Sequence, residues 1–288
     1  MSKFLRQLLV FAICFVLLNW VYLEIVKHVD WNFSKRIEAL ELANPDFELV
    51  VIGNSLPMDG IDTGFLDQHG IDAYNLSIGG ASFKTSHIQL QEYLEICDKK
   101  PEIVILGSSS YIGDFDSGRV LGIVEFTSEN GKRDFWNVPL LRFKGMFIEM
   151  VKKIVSPPHR NAVLVKGQLR FSRTTTDKTD LNLDEEFTFD AYHESSELEA
   201  ISATCERHDI QLVVIEMPGF MYTRHRGTPE IKKLNSTGAI LVDCNNVEFC
   251  TIFDPETDWI GNNHLNTFGA RKFTQALISI IQDLSQMD

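Results

Sequence analysis

Hydrophobic positions divide the chain into one long apolar run near its start and a series of short apolar runs further along. The long run, "QLLVFAICFVLLNWVYL", extends from Gln7 to Leu23 and contains no charged residue. Its 17 residues are at the short end of what spans a bilayer as a helix. The pattern therefore predicts a transmembrane helix within residues 1–27.

The flanks of the apolar run indicate its orientation. Lys3 and Arg6 precede it, and basic residues of this kind stay on the cytoplasmic side. Trp20 and Tyr22 suit a membrane interface, whereas a secretory signal peptide has a shorter core and a small-residue cleavage site. We therefore expect an uncleaved signal anchor, with everything after about residue 28 outside the cytoplasm. A cleaved signal and a buried core helix remain open alternatives.

Five short apolar runs follow, and each predicts a strand buried on both faces because it is rich in Val, Ile and Leu. They are "FELVVIG" (47–53), "DAYNLSI" (72–78), "PEIVILG" (101–107), "IQLVVIEM" (210–217) and "GAILVDC" (238–244). Three other segments have apolar residues at helical spacing, namely 84–99, 192–208 and 267–284. Strands that alternate with helices predict a parallel sheet covered on both faces.

The domain organisation follows from this alternation. We predict an α/β domain over residues 47–288, joined to the anchor by a juxtamembrane linker, residues 28–46. The segment at about 111–190 interrupts the alternation with an apolar and basic stretch (137–155) and then a polar tract (172–186). Long irregular segments in compact domains are usually functional or mobile. We interpret this one as an insertion that caps the site or docks on the membrane or a partner.

Composition narrows the classes of partner. The chain has 27 basic and 40 acidic residues and a net charge of −13. Phosphate binding needs clustered positive charge, so we expect no nucleic-acid partner. The sequence contains no phosphate-binding glycine loop, no metal-ligand spacing and no dinucleotide fingerprint. We therefore expect neither a metal nor another cofactor.

The cysteines leave two interpretations open. Of the five, Cys14 lies inside the predicted anchor, and Cys244 and Cys250 bracket "CNNVEFC". This pair could close a small disulfide loop in an oxidising compartment, or both thiols could be unpaired. The spacing matches no zinc site and no redox pair.

Small polar residues follow three of the predicted strands, at the sheet edge where parallel sheets collect their ligand sites. The segments are "GNS" (53–55), "NLSIGGAS" (75–82) and "LGSSSY" (106–111), and "GNNHLNTFGA" (261–270) precedes the last helix. A serine nucleophile needs a base and donors for the developing oxyanion. Ser55 and His264 are the candidates for nucleophile and base. Each signal alone is also typical of a turn or a helix cap.

Three of these blocks together resemble the SGNH (GDSL-like) hydrolase superfamily. "VVIGNSLPMDGID" (50–62) is similar to its nucleophile block, with Asn54 where aspartate is common. "YNLSIGGASF" (74–83) is similar to the second block, in which Gly80 matches the glycine whose N–H joins the oxyanion hole. "NNHLNTFGARKFT" (262–274) is similar to the last block, in which His264 matches the base. The resemblance implies a three-layer α/β/α fold and acyl-ester chemistry, with the N–H of Ser55 as a second oxyanion donor.

The sequence departs from the superfamily pattern at two positions. The third block normally supplies an asparagine to the oxyanion hole, and Ser109 stands at that place. An aspartate usually lies three residues before the histidine, and this chain has Gly261 there, with Asp258 and Asp254 as the nearest upstream carboxylates. Three outcomes stay open. Asp258 orients His264 by another loop path, the site is a Ser/His dyad, or catalysis has been lost.

Within the superfamily, the last block and the anchor resemble the branch that contains bacterial proteins of polysaccharide O-acetylation and teichoic acid D-alanylation. This resemblance implies a single-pass protein of the bacterial cytoplasmic membrane with its domain on the periplasmic or extracellular side. The expected function is acyl-ester hydrolysis or O-acyl transfer, with acetyl as the expected group, on an envelope polysaccharide. A polytopic membrane acyltransferase is an expected partner. The alternative is an inactive SGNH-fold module that binds glycan or scaffolds an acylation or export complex.

Overall fold

The secondary structure comes from a computed structural model, which describes residues 2–109, 118–128, 138–147, 151, 155, 162–172, 174, 195–219, 231–233, 238–261 and 264–284. The helices are α1 (Lys3–Val29), α2 (Trp31–Leu40), α3 (Ser55–Gly60), α4 (Thr63–Gln68), α5 (Phe83–Ile96), α6 (Gly118–Thr127), α7 (Pro139–Arg142), α8 (Ser196–Arg207) and α9 (Thr267–Leu284). Two 3-10 turns cover Lys144–Met146 and Phe249–Ile252.

The strands are β1 (Leu49–Gly53), β2 (Ala73–Asn75), β3 (Ile103–Ser108), β4 (Ala162–Val165), β5 (Gln168–Phe171), β6 (Gln211–Glu216), β7 (Ile231–Lys233), β8 (Ile240–Asp243), β9 (Trp259–Ile260) and β10 (His264–Leu265). The main sheet has the order β2-β1-β3-β6-β8-β7, and only β7 runs antiparallel to its neighbour within the described residues. All five predicted strands therefore form the parallel part of this sheet. The prediction of an α/β fold is confirmed.

Helices cover both faces of the sheet, because the strand residues alternate between two cores. One core joins Leu49, Val51 and Ile105 to α9, and the other joins Val50, Ile52 and Val104 to α5 and α8. The residues that α9 contributes are Phe273, Leu277, Ile278 and Ile281. The residues from α5 and α8 are Leu90, Leu94, Leu198 and Ile201.

The N-terminal helix α1 is long and apolar enough to cross a membrane. Its first turns are exposed, whereas three residues near its end, Asn19, Tyr22 and Val26, are buried. The Tyr22 hydroxyl donates to the carbonyl of Phe143 at 2.6 Å, and the N–H of Leu140 donates to Asn19 at 3.1 Å. The end of α1 is thus packed on the folded domain.

The expected linker, residues 28–46, contains α2, which is packed against the domain and buries Phe33 and Lys35. Within the expected insertion, 111–190, the structure describes α6, α7 and the antiparallel hairpin of β4 and β5. Most of the polar tract 172–186 lies outside the described residues. All five cysteines are thiols in this structure, and Cys244 and Cys250 are both buried.

Two glycines on adjacent strands allow α3 to lie directly on the ends of the sheet. Gly53 of β1 pairs in register with Gly107 of β3, and Pro57 of α3 packs against both. A Cβ added at Gly53 or at Gly107 would lie 2.8 Å from Pro57 Cγ. Gly53 also has φ +137°, which L side chains rarely adopt. The close approach of α3 to the sheet therefore requires glycine at both positions.

We predict that Gly107→Ala destabilises the folded protein by about 1 to 3 kcal/mol, because the added methyl group overpacks the contact with Pro57. Denaturant unfolding of the detergent-solubilised chain measures the change. Gly145→Ala is the matched control, because a Cβ at that glycine meets no atom within 4 Å. Equal unfolding midpoints for the two variants would contradict the importance of this packing.

Candidate active site

The candidate site lies where β2, β1 and β3 end side by side. β1 is the central strand of these three, and Gly53 and Gly107 are aligned at the ends of β1 and β3. Ser55 and Ser109 each follow their glycine by two residues, so both lie at this edge. The connection after β1 leads to β2 on one side, whereas β3 is followed along the sheet by β6 on the other side. Such switch points are where α/β proteins bind ligands.

Ser55 is the first residue of α3. Asn54 is the N-cap, and its Oδ1 accepts the N–H of Leu56 at 2.9 Å. Capping of this kind is the favoured role of asparagine before a helix, which gives a local reason for the helix to begin at Ser55. Ser55 is half-buried at the start of the helix. Pro57 is tolerated because it lies in the first turn.

The partner of His264 is Asp59. His264 Nδ1 lies 2.8 Å from Asp59 Oδ2, and these two residues are 205 positions apart in the sequence. Asp59 follows Ser55 by four residues on α3, so the two side chains lie on one face of the helix. An ionised Asp59 accepts the Nδ1 proton of His264, and this tautomer leaves Nε2 as the proton acceptor. The serine, imidazole and carboxylate thus come from two chain segments.

Asp258 does not occupy the position expected for it. Its Oδ2 accepts from Lys272 Nζ at 2.6 Å and from the N–H of Asp254 at 2.7 Å, and Thr257 donates to Oδ1 at 3.2 Å. These bonds fix the loop before β9 and tie it to α9. The expected role of Asp258 as the orienting carboxylate is therefore corrected, since Asp59 holds His264.

Burial sets the electrostatics of Asp59. Its side chain is 5% exposed, and this desolvation raises the pKa of the carboxyl above its ordinary value, although His264 and the positive charge of Lys35 act in the opposite direction. Oδ1 has no hydrogen-bond partner among the described residues. The hydrogen bond with His264 and the positive charge of Lys35 therefore favour the ionised form of Asp59 against its desolvation.

Lys35 is a buried lysine that the sequence did not single out. It comes from α2, and its Nζ donates to the carbonyls of Asn75, at 3.0 Å, and Gly167. Burial lowers the pKa of Lys35 to about 7, although Asp59 and then Glu38 raise it. A lysine at this depth is charged near neutral pH only with such carboxylates nearby.

Two buried amides hold the backbone of α3 in place. Asn75 Nδ2 donates to the carbonyl of Pro57 at 2.8 Å, and Gln168 Nε2 donates to the carbonyl of Asp59 at 3.1 Å. Asn75 ends β2, whereas Gln168 begins β5 of the hairpin within the expected insertion. Part of the insertion thus supports the helix that carries Ser55.

The two other expected oxyanion residues occupy separate strand ends. Gly80 lies in a turn after β2 with φ +81°, and the N–H of Ala81 donates to the carbonyl of Ile78 at 3.0 Å across this turn. Positive φ at the third residue of such a turn favours glycine. Ser109 is buried directly after β3. Gly261, at the usual aspartate position, has φ +60° and follows β9.

Comparisons with known proteins do not assign this chain to a family. No protein-family model matches this chain, and no curated protein matches it. Among the described residues, no group of three or more His, Cys, Asp or Glu side chains is arranged to hold a metal ion.

The burial of Lys35 predicts a pH dependence of stability. Its pKa is about 7 in the folded protein and 10.5 for an ordinary lysine, so the unfolded chain binds more protons between these values. The stability of the wild type relative to Lys35→Met should therefore rise with pH over this range, by up to about 1.4 kcal/mol per pH unit. Urea unfolding of both proteins at several pH values measures it. A difference that is constant from pH 7 to 10.5 would contradict the assignment.

Proposed function

We propose that this protein is a membrane-anchored, extracytoplasmic acyl-ester hydrolase or O-acyltransferase of the SGNH type. The observation that carries the proposal is the contact between His264 Nδ1 and Asp59, on the helix that begins with Ser55. It supplies the orienting carboxylate that the sequence lacks at Gly261. A histidine held by a carboxylate, with a serine one turn earlier on the same helix, supports the acyl-transfer proposal, because such chemistry uses a serine, a histidine base and a group that orients the histidine.

In the proposed reaction, Ser55 Oγ attacks the acyl carbonyl and its proton passes to Nε2 of His264. Asp59 stabilises the imidazolium that results. The N–H groups of Ser55 and Gly80 and the hydroxyl of Ser109 stabilise the oxyanion. His264 then returns the proton to the departing alcohol, which leaves an acyl-serine. Water or a sugar hydroxyl attacks this ester in the second step, with the same histidine as base.

The proposed substrate is an acylated cell-envelope polysaccharide, with acetyl as the group removed or transferred. The support comes from the resemblance to envelope acylation proteins in the blocks around Ser55 and His264, together with the apolar helix α1. A polytopic membrane acyltransferase is the proposed partner for transfer. It would deliver the acyl group to a site beside the same membrane.

The packing of α1 supports retention of the helix as an anchor. Val26 is fully buried, and Tyr22 and Asn19 are bonded to the segment that contains α7. Cleavage after the apolar run would remove partners that the folded domain uses. We therefore propose a single-pass protein of the bacterial cytoplasmic membrane with its domain on the outer side.

A second candidate function is a non-catalytic module that binds glycan or scaffolds an envelope complex. The observation that favours it is the burial of Asp59, which raises the pKa of this carboxyl. A neutral Asp59 cannot stabilise an imidazolium. Ser109 in place of the usual asparagine also weakens the proposed oxyanion hole.

The reactivity of Ser55 tests these two candidates. We predict that a fluorophosphonate probe labels the detergent-solubilised chain and that Ser55→Ala abolishes labelling. Asp59→Asn should slow labelling by a factor of roughly 10^2 to 10^4, because it removes the negative charge that stabilises the imidazolium and introduces an amide that can donate to Nδ1 and favour the other His264 tautomer. Rates are measured from labelled protein against time at mildly alkaline pH.

Asp258→Asn is the matched control for Asp59→Asn. Both changes replace a buried aspartate, but Asp258 contacts Lys272 and the loop backbone rather than His264. We expect Asp258→Asn to lower stability and leave the labelling rate of the folded protein unchanged. A folded wild type that stays unlabelled would favour the non-catalytic module, and equal rates for the two variants would remove Asp59 from the mechanism.

Topology is tested separately. Because Lys3 and Arg6 precede the apolar run and its end is packed on the domain, a reporter fused at the C-terminus should be active only outside the cytoplasm. The mature protein should keep its N-terminus and stay in the membrane fraction after a carbonate wash. Recovery of a soluble form trimmed within residues 1–27 would contradict the anchor.

A further inference from the structure

Helix α2, which directly follows the apolar helix α1, reaches the candidate site through its first turn. Asp30 caps α2, and its Oδ1 accepts the N–H groups of Asn32 at 2.9 Å and Phe33 at 3.2 Å. Asn32 is fixed by this cap at the start of the helix. Its side chain extends to the turn after β2.

Asn32 makes two hydrogen bonds with one glycine of that turn. Its Nδ2 donates to the carbonyl of Gly79 at 2.9 Å, and its Oδ1 accepts the N–H of Gly79 at 2.9 Å. The two bonds use the donor and the acceptor of the side-chain amide, so they fix its orientation. A Cβ at Gly79 would lie 3.3 Å from Asn32 Oδ1, which is tighter than ordinary contact. The absence of a side chain at Gly79 therefore suits this close pairing.

The carbonyl of Gly79 belongs to the same peptide unit as the N–H of Gly80. A trans peptide is planar, and its C=O and N–H point in opposite directions. A hydrogen bond that fixes the Gly79 carbonyl therefore also fixes the direction of the Gly80 N–H. It polarises this peptide as well, since hydrogen bonds in a chain strengthen one another.

We infer that Asn32 is a positioning residue, which aims the N–H of Gly80 at the oxyanion formed by attack of Ser55. The inference rests on the proposed function, because it needs Gly80 to act as an oxyanion donor. Asn32 itself touches no reacting atom. It acts through the Gly79–Gly80 peptide, in a turn that already requires positive φ at Gly80.

Two other polar side chains of α2, Lys35 and Ser34, make their hydrogen bonds with other groups. Lys35 donates to the carbonyls of Asn75, the last residue of β2, and Gly167, in the turn between β4 and β5. Ser34 donates its hydroxyl to the carbonyls of Lys27 and Asp30, at the junction with α1. Ser34 therefore provides a control that disturbs α2 without touching the turn.

The test measures hydrolysis of p-nitrophenyl acetate by the full chain in detergent. Asn32→Ala should lower kcat by about 10- to 100-fold with KM within about twofold, because loss of a well-aimed oxyanion donor acts on the transition state. Titration with the fluorophosphonate probe gives the fraction of competent sites, so that kcat is expressed per site. Ser34→Ala should leave kcat per site unchanged.

Asn32→Asp is the second variant, for the case in which the alanine protein does not fold. It keeps the acceptor for the Gly79 N–H but cannot donate to the Gly79 carbonyl. We expect its kcat per site to fall at least as far as that of Asn32→Ala while its unfolding midpoint stays closer to the wild type.

Three results would overturn the inference. If a folded Asn32 variant keeps the wild-type kcat per site, Asn32 only anchors the turn, and the proposed function stands. If Ser34→Ala loses as much kcat per site as Asn32→Ala, the effect belongs to the helix as a whole. If the wild type neither hydrolyses the ester nor reacts with the probe, the proposed function fails and the inference fails with it.

Discussion

The candidate site depends on the absence of side chains at Gly53 and Gly107. These two glycines are in register at the ends of β1 and β3, and Pro57 of α3 occupies the space above them. A side chain at Gly107 would push α3 from the sheet, and one at Gly53 would meet both Pro57 and the carbonyl oxygen of Gly107, which lies 2.2 Å from the added Cβ. Ser55 and Asp59 would move with α3, because both belong to the same six-residue helix. The positions of Ser55 and Asp59 are thus set by a packing contact in which neither side chain takes part.

Hydrogen bonds from buried polar side chains also hold α3 in place. Asn75 and Gln168 bind carbonyls of α3 from the inside, and Lys35 binds the carbonyl of Asn75 in turn. The charge of Lys35 also favours ionisation of Asp59, against the desolvation that raises the pKa of this carboxyl. The same buried groups therefore hold the helix and set the charge of its aspartate. Such networks stabilise a single arrangement only when all their members are present.

The sequence predicted the sheet well because its parallel strands are buried on both faces and so consist of continuous apolar runs. It predicted α9, Thr267–Leu284, for a similar reason, since that helix has one apolar face on the core. It did not predict β7, because "IKK" is exposed and has no apolar pattern. The hairpin of β4 and β5 lay within a segment interpreted as an irregular insertion.

The candidate site was predicted in part. Gly53 ends a predicted strand and Ser55 and Gly80 follow predicted strands, so their approximate location follows from parallel topology alone. Asp59 was missed because the resemblance directed the search for a carboxylate to the segment before His264, whereas α3 places Asp59 one turn after Ser55. Asp258 was preferred for its closeness to His264 in the sequence, but its carboxylate is bonded to Lys272. Lys35 and Asn32 lay in a predicted linker, and only tertiary packing brings them to the site.

The origin of Ser55 and Asp59 in a single helical turn has a consequence for how the site assembles. Of the proposed set Ser55, His264 and Asp59, only His264 must be brought to α3 from a distant segment, 205 residues from Asp59. If the carboxylate also came from a segment that distant, closing the second loop would cost about 5 kcal/mol in chain entropy by the scaling of (3/2)RT ln n. Local unfolding of the short pair β9 and β10 would withdraw His264 and leave Ser55 and Asp59 in register. When β9 and β10 pair again, His264 returns to an Asp59 that is already in place on α3.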